Sequence, residues 1–214
     1  MEPVKVRLEK IGIGLPEILL PKAGTDLSKW SVVACDQFSS ERHYWEKARE
    51  IVGGAPSTLR LILPECYLED GDTEARVEAI NAEMKRVLEN VLEPLEPGFV
   101  LIDRRTAHAP SRKGLVLSVD LEAYSFEPGA ESLIRPTEGT ILKRLPPRMA
   151  IRRGATLDLP HILLLLDDPE RTVIEPLFAA KNSFRKLYDF ELMQDGGSIA
   201  GWHVPAEALE GAVS

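Results

Sequence analysis

FVLIDRRTAHAPSRKGLVLSVDL, residues 99–121, is the stretch on which the fold turns. Phe99 to Asp103 and Leu115 to Leu121 are short apolar runs bounded by turn residues, which is how strands read. The connection between them, RRTAHAPSRKG, is polar and basic and carries both proline and glycine. Two strands joined this way form a hairpin with a wide polar loop, so the sheet is antiparallel here. A second hairpin is predicted over Phe190–Met193 and Ser198–Val204, around Asp195-Gly196-Gly197.

Outward from the hairpins the pattern is mixed. Trp30–Cys35 (WSVVAC) reads as a short buried strand that delivers Asp36 and Gln37 at its end. Ser39 and Ser40 offer N-cap hydroxyls for a helix to about Val52, closed by Gly53-Gly54. Thr58–Leu63 alternates like a strand. Thr73–Leu92 is the clearest helix, because Val77, Ile80, Met84, Val87, Leu88 and Val91 recur at helical spacing. Ile162–Leu166 is wholly apolar and predicts a strand in the middle of a sheet, followed by a helix over Glu170–Ala180. Strands outnumber helices and do not alternate with them. The expected class is α+β, a mixed, mostly antiparallel sheet with flanking helices, as one domain over residues 1–214.

With 214 residues the chain can bury a substantial core. No apolar run reaches the roughly 18 residues a membrane-spanning helix needs. The start, MEPVKVRLEK, lacks a signal peptide's apolar middle, so a cytoplasmic location is expected. Cys35 and Cys66 are too few for a disulfide scaffold, and four scattered histidines predict no transition-metal centre. A net charge of -8 argues against nonspecific binding to nucleic acid, which depends on neutralising phosphates.

Against that acidic background LIRPTEGTILKRLPPR, residues 133–148, stands out. It gathers Arg135, Lys143, Arg144 and Arg148 around one acid, Glu138, with Thr137, Gly139 and Thr140 between them. Amides, hydroxyls and guanidinium groups together suit phosphate or carboxylate, since charge-assisted hydrogen bonds to an oxyanion are the strong ones. The same residues also fit a solvated loop with a turn or a helix cap. Asp36 either takes a substrate proton or holds Mg²⁺, or it caps the following helix. Arg104, Arg112 and Lys113 either wall a polyphosphate pocket or form a solvated charge run with Arg105 and His108. His161 is a candidate for polarising a phosphate oxygen, or a half-buried structural histidine. It stands about 20 Å from Asp167 along an extended strand, so the two cannot share a site. P-loop, GxGxxG, GxSxG and HExxH patterns are missing from the sequence.

LSKWSVVACDQFSSERHYWE (27–46), PSTLRLILPE (56–65), residues 133–148, LPHILLLLDDP (159–169) and LYDFELMQDGGSIAGW (187–202) carry a resemblance. Together, and in order, they resemble the domain-of-unknown-function family ten-fifteen of bacteria and archaea. The chain is similar to the N-terminal part of its members, which are generally longer. That family is distantly similar to the ParB/sulfiredoxin-like fold, which includes free-serine kinases. The resemblance therefore implies a small-molecule phosphotransferase, most concretely a serine kinase using pyrophosphate or a nucleotide with Mg²⁺. On that reading Asp36 or Glu138 is base or metal ligand. Arg135, Thr137, Gly139, Thr140 and Arg148 hold the donor phosphates, and Arg104, Arg112 and Lys113 close the pocket. The alternative is a noncatalytic nucleotide- or anion-binding module.

Overall fold

Both predicted hairpins form, side by side in one sheet, but the strand predicted over Leu115–Leu121 ends at Val116 in that sheet, and Ser118–Val119 pairs instead with Ile13–Gly14. In chain order, helix α1 (Val4–Lys10) is followed by strands β1 (Ile13–Gly14) and β2 (Leu19–Pro21). Helices α2 (Leu27–Trp30), α3 (Arg42–Val52) and α4 (Thr73–Asn90) come next, then β3 (Leu92–Pro94), β4 (Phe99–Arg105), β5 (Arg112–Val116) and β6 (Ser118–Val119). Helices α5 (Leu145–Gly154) and α6 (Ile174–Ala179) precede β7 (Arg185–Glu191) and β8 (Ser198–Val204). The structure is a computed structural model that describes residues 2–212 apart from 128, 137, 138, 140, 141, 143 and 144.

The main sheet runs β5-β4-β8-β7, antiparallel throughout, while β1 pairs with β6 and β2 with β3. The class is α+β, as expected. The first hairpin is tighter than its sequence suggested, because the basic residues at either end of the loop join the ladder. Leu101 pairs with Leu115, Asp103 with Lys113 and Arg104 with Arg112. Thr106 and Ala109 close the turn through their backbones.

Two apolar clusters result. Phe99, Leu101, Trp202 and Val204 lie on one face of the sheet and pack with Leu177 of α6 and with Val4 and Leu8 of α1. The other cluster joins Trp45 and Val52 of α3 to Ile80, Met84 and Val87 of α4, at the helical spacing read from sequence. Met193, at the end of the last hairpin's first arm, belongs to this second cluster. The Gln194 side-chain amide donates to the Tyr44 carbonyl at 3.2 Å, tying the sheet to α3.

Several local expectations are corrected. Trp30 ends α2 and residues 31–34 are irregular, so WSVVAC is no strand. Side chains occupy the backbone groups a ladder would have used. Ser57 Oγ and Thr58 Oγ1 donate to the Trp30 carbonyl, and Thr58 Oγ1 accepts from Val32 N–H. Thr58–Arg60 is a 3-10 turn capped by Ser57, not a strand, since a local side-chain cap competes with sheet pairing. Ser39 and Ser40 lie outside α3, which begins at Arg42 without a side-chain cap. Helix α5 had no forecast; Pro146 and Pro147 fall in its first turn, where the missing N–H costs nothing. Most consequentially, Ile162–Leu166 joins no sheet and is exposed.

Candidate functional site

The pleat of the main sheet divides the predicted cations between its faces. Successive side chains on a strand point to opposite sides. Arg104 and its cross-strand neighbour Arg112 therefore share one face, and Lys113 stands on the other with Asp103. Arg104 is turned to structural work. Its guanidinium donates to the carbonyls of Arg105 at 2.6 Å, Ser198 at 3.2 Å and Gly196, pinning the β7–β8 turn. Burial and the nearby Arg112 charge both hold its pKa below the usual arginine value.

Around Lys113 the opposite face is richer. Asp103 is 1% exposed, continuing the inward phase of Phe99 and Leu101. Its carboxylate accepts from Ser111 Oγ at 2.7 Å and from Arg105 Nε and Nη2 at 2.9 and 2.6 Å. Burial alone would raise its pKa. The hydrogen bonds from Ser111 and Arg105, with the charges of Arg105 and Lys181, outweigh that and hold it below the ordinary value. Lys113 and Lys181 sit over the Phe178 ring at 4.7 and 4.0 Å, and Lys181 also reaches Trp202. Sequence reading missed Asp103, although one polar residue in the inward phase of an apolar strand was the available signal.

Asp103→Asn is expected to lower stability by about 1–3 kcal/mol at pH 7, the usual effect of breaking a buried hydrogen-bonded network. A carboxyl with a depressed folded pKa adds stability above its unfolded value, near pH 3.9, and loses it as pH falls further. The gap between parent and variant should therefore shrink below pH ~4, which urea titrations at pH 7 and pH 3 would show. An equal gap at both values would contradict the assignment.

The second group of predicted residues meets elsewhere. Helix α5 carries Arg148 to the turn at residues 35–40, where its guanidinium pairs with Glu65. Glu65 is itself fixed to the turn by its N–H, which donates to the Cys35 carbonyl at 3.0 Å. Burial pushes the Cys35 thiol up; Asp36 and Glu65 push it further, and Arg148 pulls it back. All three charged groups thus lie within electrostatic reach of one sulfur. Asp36 follows Cys35 in the same turn, and its side chain is exposed. Phe38, with φ of 51°, stacks on Tyr44 at 3.9 Å and accepts from Trp45 Nε1 at 3.3 Å, anchoring the turn on α3.

The remaining predicted residues are dispersed. Arg135 is exposed and donates through Nε to the Ser132 carbonyl at 2.8 Å. Gly139 is exposed, with nothing within 4 Å of where a Cβ would stand. His161 is exposed on the unpaired segment. Thr137, Glu138 and Thr140 lie outside the described residues. Among the described residues no three acidic, histidine or cysteine side chains come together as a metal-holding group. None of their helices is long and apolar enough to cross a membrane.

Residues 19–214 match the family described as "Protein of unknown function (DUF1015)". No curated protein and no solved structure matches the chain.

Proposed function

The chain belongs to the DUF1015 family, and on that premise we propose that it is a cytoplasmic phosphotransferase acting on a small alcohol, most concretely L-serine. One observation carries this reading. The basic segment predicted to hold phosphate runs into α5, and α5 brings Arg148 to the turn that exposes Asp36. Phosphoryl transfer needs little beyond positioning and charge neutralisation, so a carboxylate beside a guanidinium supplies the main requirements.

In the proposed step the Asp36 carboxylate accepts the serine hydroxyl proton. The hydroxyl oxygen bonds to the terminal phosphorus of pyrophosphate or a nucleotide, and the bridging P–O bond breaks. Phosphate or nucleoside diphosphate leaves with that electron pair. Arg148 offsets charge on the donor, and Glu65 orients Arg148. Arg135, Thr137, Gly139 and Thr140 are the basic segment's remaining candidate donors and Glu138 its remaining candidate acid, while His161, on the unpaired segment, takes no part in this step. Mg²⁺, where bound, would neutralise donor phosphates; with Asp36 acting as the base, Glu138, which lies outside the described residues, is the carboxylate proposed to hold it. Arg104 and Arg112 are the outer phosphate-ligand candidates of this reading, whereas Lys113 faces the other side of the sheet and takes no part in it.

The test is phosphoserine formation from L-serine, Mg²⁺ and either pyrophosphate or ATP, followed by mass spectrometry. Product with one donor supports the reading. Absence of product with both, from protein shown to be folded, overturns it. A second reading, a noncatalytic anion-binding module, is favoured by the pairing of Lys113 and Lys181 on Phe178 beside buried Asp103, where cations exceed acids. Calorimetry with pyrophosphate would then show binding without turnover.

A further inference from the structure

The segment His161–Asp167 has the composition of an interior strand and the environment of an exposed one. Ile162, Leu163, Leu164, Leu165 and Leu166 are 78, 76, 48, 79 and 60% exposed. Residues 161–167 belong to no helix or strand, and among the described residues their backbone groups make no hydrogen bond. Both side-chain phases are apolar, so neither is suited to water, and at about 25 cal/mol per Å² the exposed area is costly. Pairing with another strand satisfies the backbone groups of such a segment and brings its apolar side chains against cross-strand neighbours.

We infer that residues 162–166 pair with the same residues of a second copy of this chain, antiparallel about a two-fold axis through Leu164. Symmetry and charge select this partner. An antiparallel register centred on Leu164 sets Ile162 against Leu166, Leu163 against Leu165, and His161 against Asp167. An imidazole then faces a carboxylate at both ends of the ribbon. Parallel in-register pairing would stack Asp167 on Asp167 and Asp168 on Asp168, which like-charge repulsion disfavours. Pro160 and Pro169 have no N–H and bound the ladder on either side. The open edges of the main sheet are poor alternatives. Strand β5 starts with Arg112 and Lys113, and β7 carries Arg185, Lys186, Asp189 and Glu191. Charged edge strands resist added strands. A two-fold pair uses one patch on both copies and closes without further growth. This inference does not rest on the phosphotransferase reading, and it assigns His161 to the pairing of the two copies.

Cysteine cross-linking tests both the association and its register. Cross-strand Cα distances of about 4.5–5.5 Å fall within the range a disulfide spans. Leu164→Cys should yield a disulfide-linked dimer on mild oxidation, whereas the parent, whose Cys35 and Cys66 are partly buried, should not. Leu163→Cys alone should link poorly, and a mixture of Leu163→Cys with Leu165→Cys should link well. Leu164→Pro should shift the parent's dimer mass to that of a monomer in light scattering, with the circular dichroism spectrum unchanged. A monomeric parent at about 100 µM, a concentration at which any pair with a micromolar Kd is formed, would overturn the inference. So would equal cross-linking of Leu163→Cys and Leu164→Cys, which would indicate parallel pairing.

Discussion

Asp36→Asn is expected to reduce the rate of phosphoserine formation by about 10²–10⁴-fold, the contribution of a positioned general base. The substitution keeps size and hydrogen-bonding shape at an exposed position, so the turn should survive. What is lost is a group able to receive the serine proton. The pair between Arg148 and Glu65 holds the donor side independently and should be undisturbed. The loss should therefore appear in kcat, with KM for pyrophosphate or ATP little changed. Arg148→Ala should show the opposite split, raising KM for the donor more than it lowers kcat. An Asp36→Asn enzyme of undiminished kcat would remove Asp36 from the chemistry.

Trp45→Ala should cost about 3–5 kcal/mol, the range for emptying a large buried aromatic site. Trp45 has no exposed surface and packs among α3, α4 and the 3-10 turns. At roughly 2–4 °C per kcal/mol for a chain of this size, the melting temperature should fall by about 6–20 °C. Trp45→Phe separates packing from anchoring. It keeps most of the apolar volume but cannot donate to the Phe38 carbonyl. Its stability loss should be about 1 kcal/mol, while phosphoserine formation should suffer more than stability, because Phe38 lies two residues from Asp36. Parent-like activity in Trp45→Phe would show that the hydrogen bond does not position the turn.

Legibility followed how locally each feature is encoded. The α4 stripe was readable because helical contacts recur within a turn, and both hairpins were readable because alternation and turn residues lie close together. WSVVAC misled because its composition suits a strand, while the groups that captured its backbone belong to Ser57 and Thr58. The candidate site was legible as residue types and not as a constellation. Asp36 and Arg148 were identified singly, but nothing local says that α5 would meet the turn through Glu65. Asp103 went unnoticed although its strand phase marked it.

The sequence by itself determined the class of the fold, the antiparallel hairpins, the longest helix and the concentration of cations in an acidic chain. These depend on periodicity, turn chemistry and composition, all readable along the chain. Tertiary structure alone decided which cations face which side of the sheet, which carboxylate is buried and where Ile162–Leu166 ends up. Apolar composition makes a strand want burial, but only the arrangement of distant segments determines whether the chain itself provides the cover.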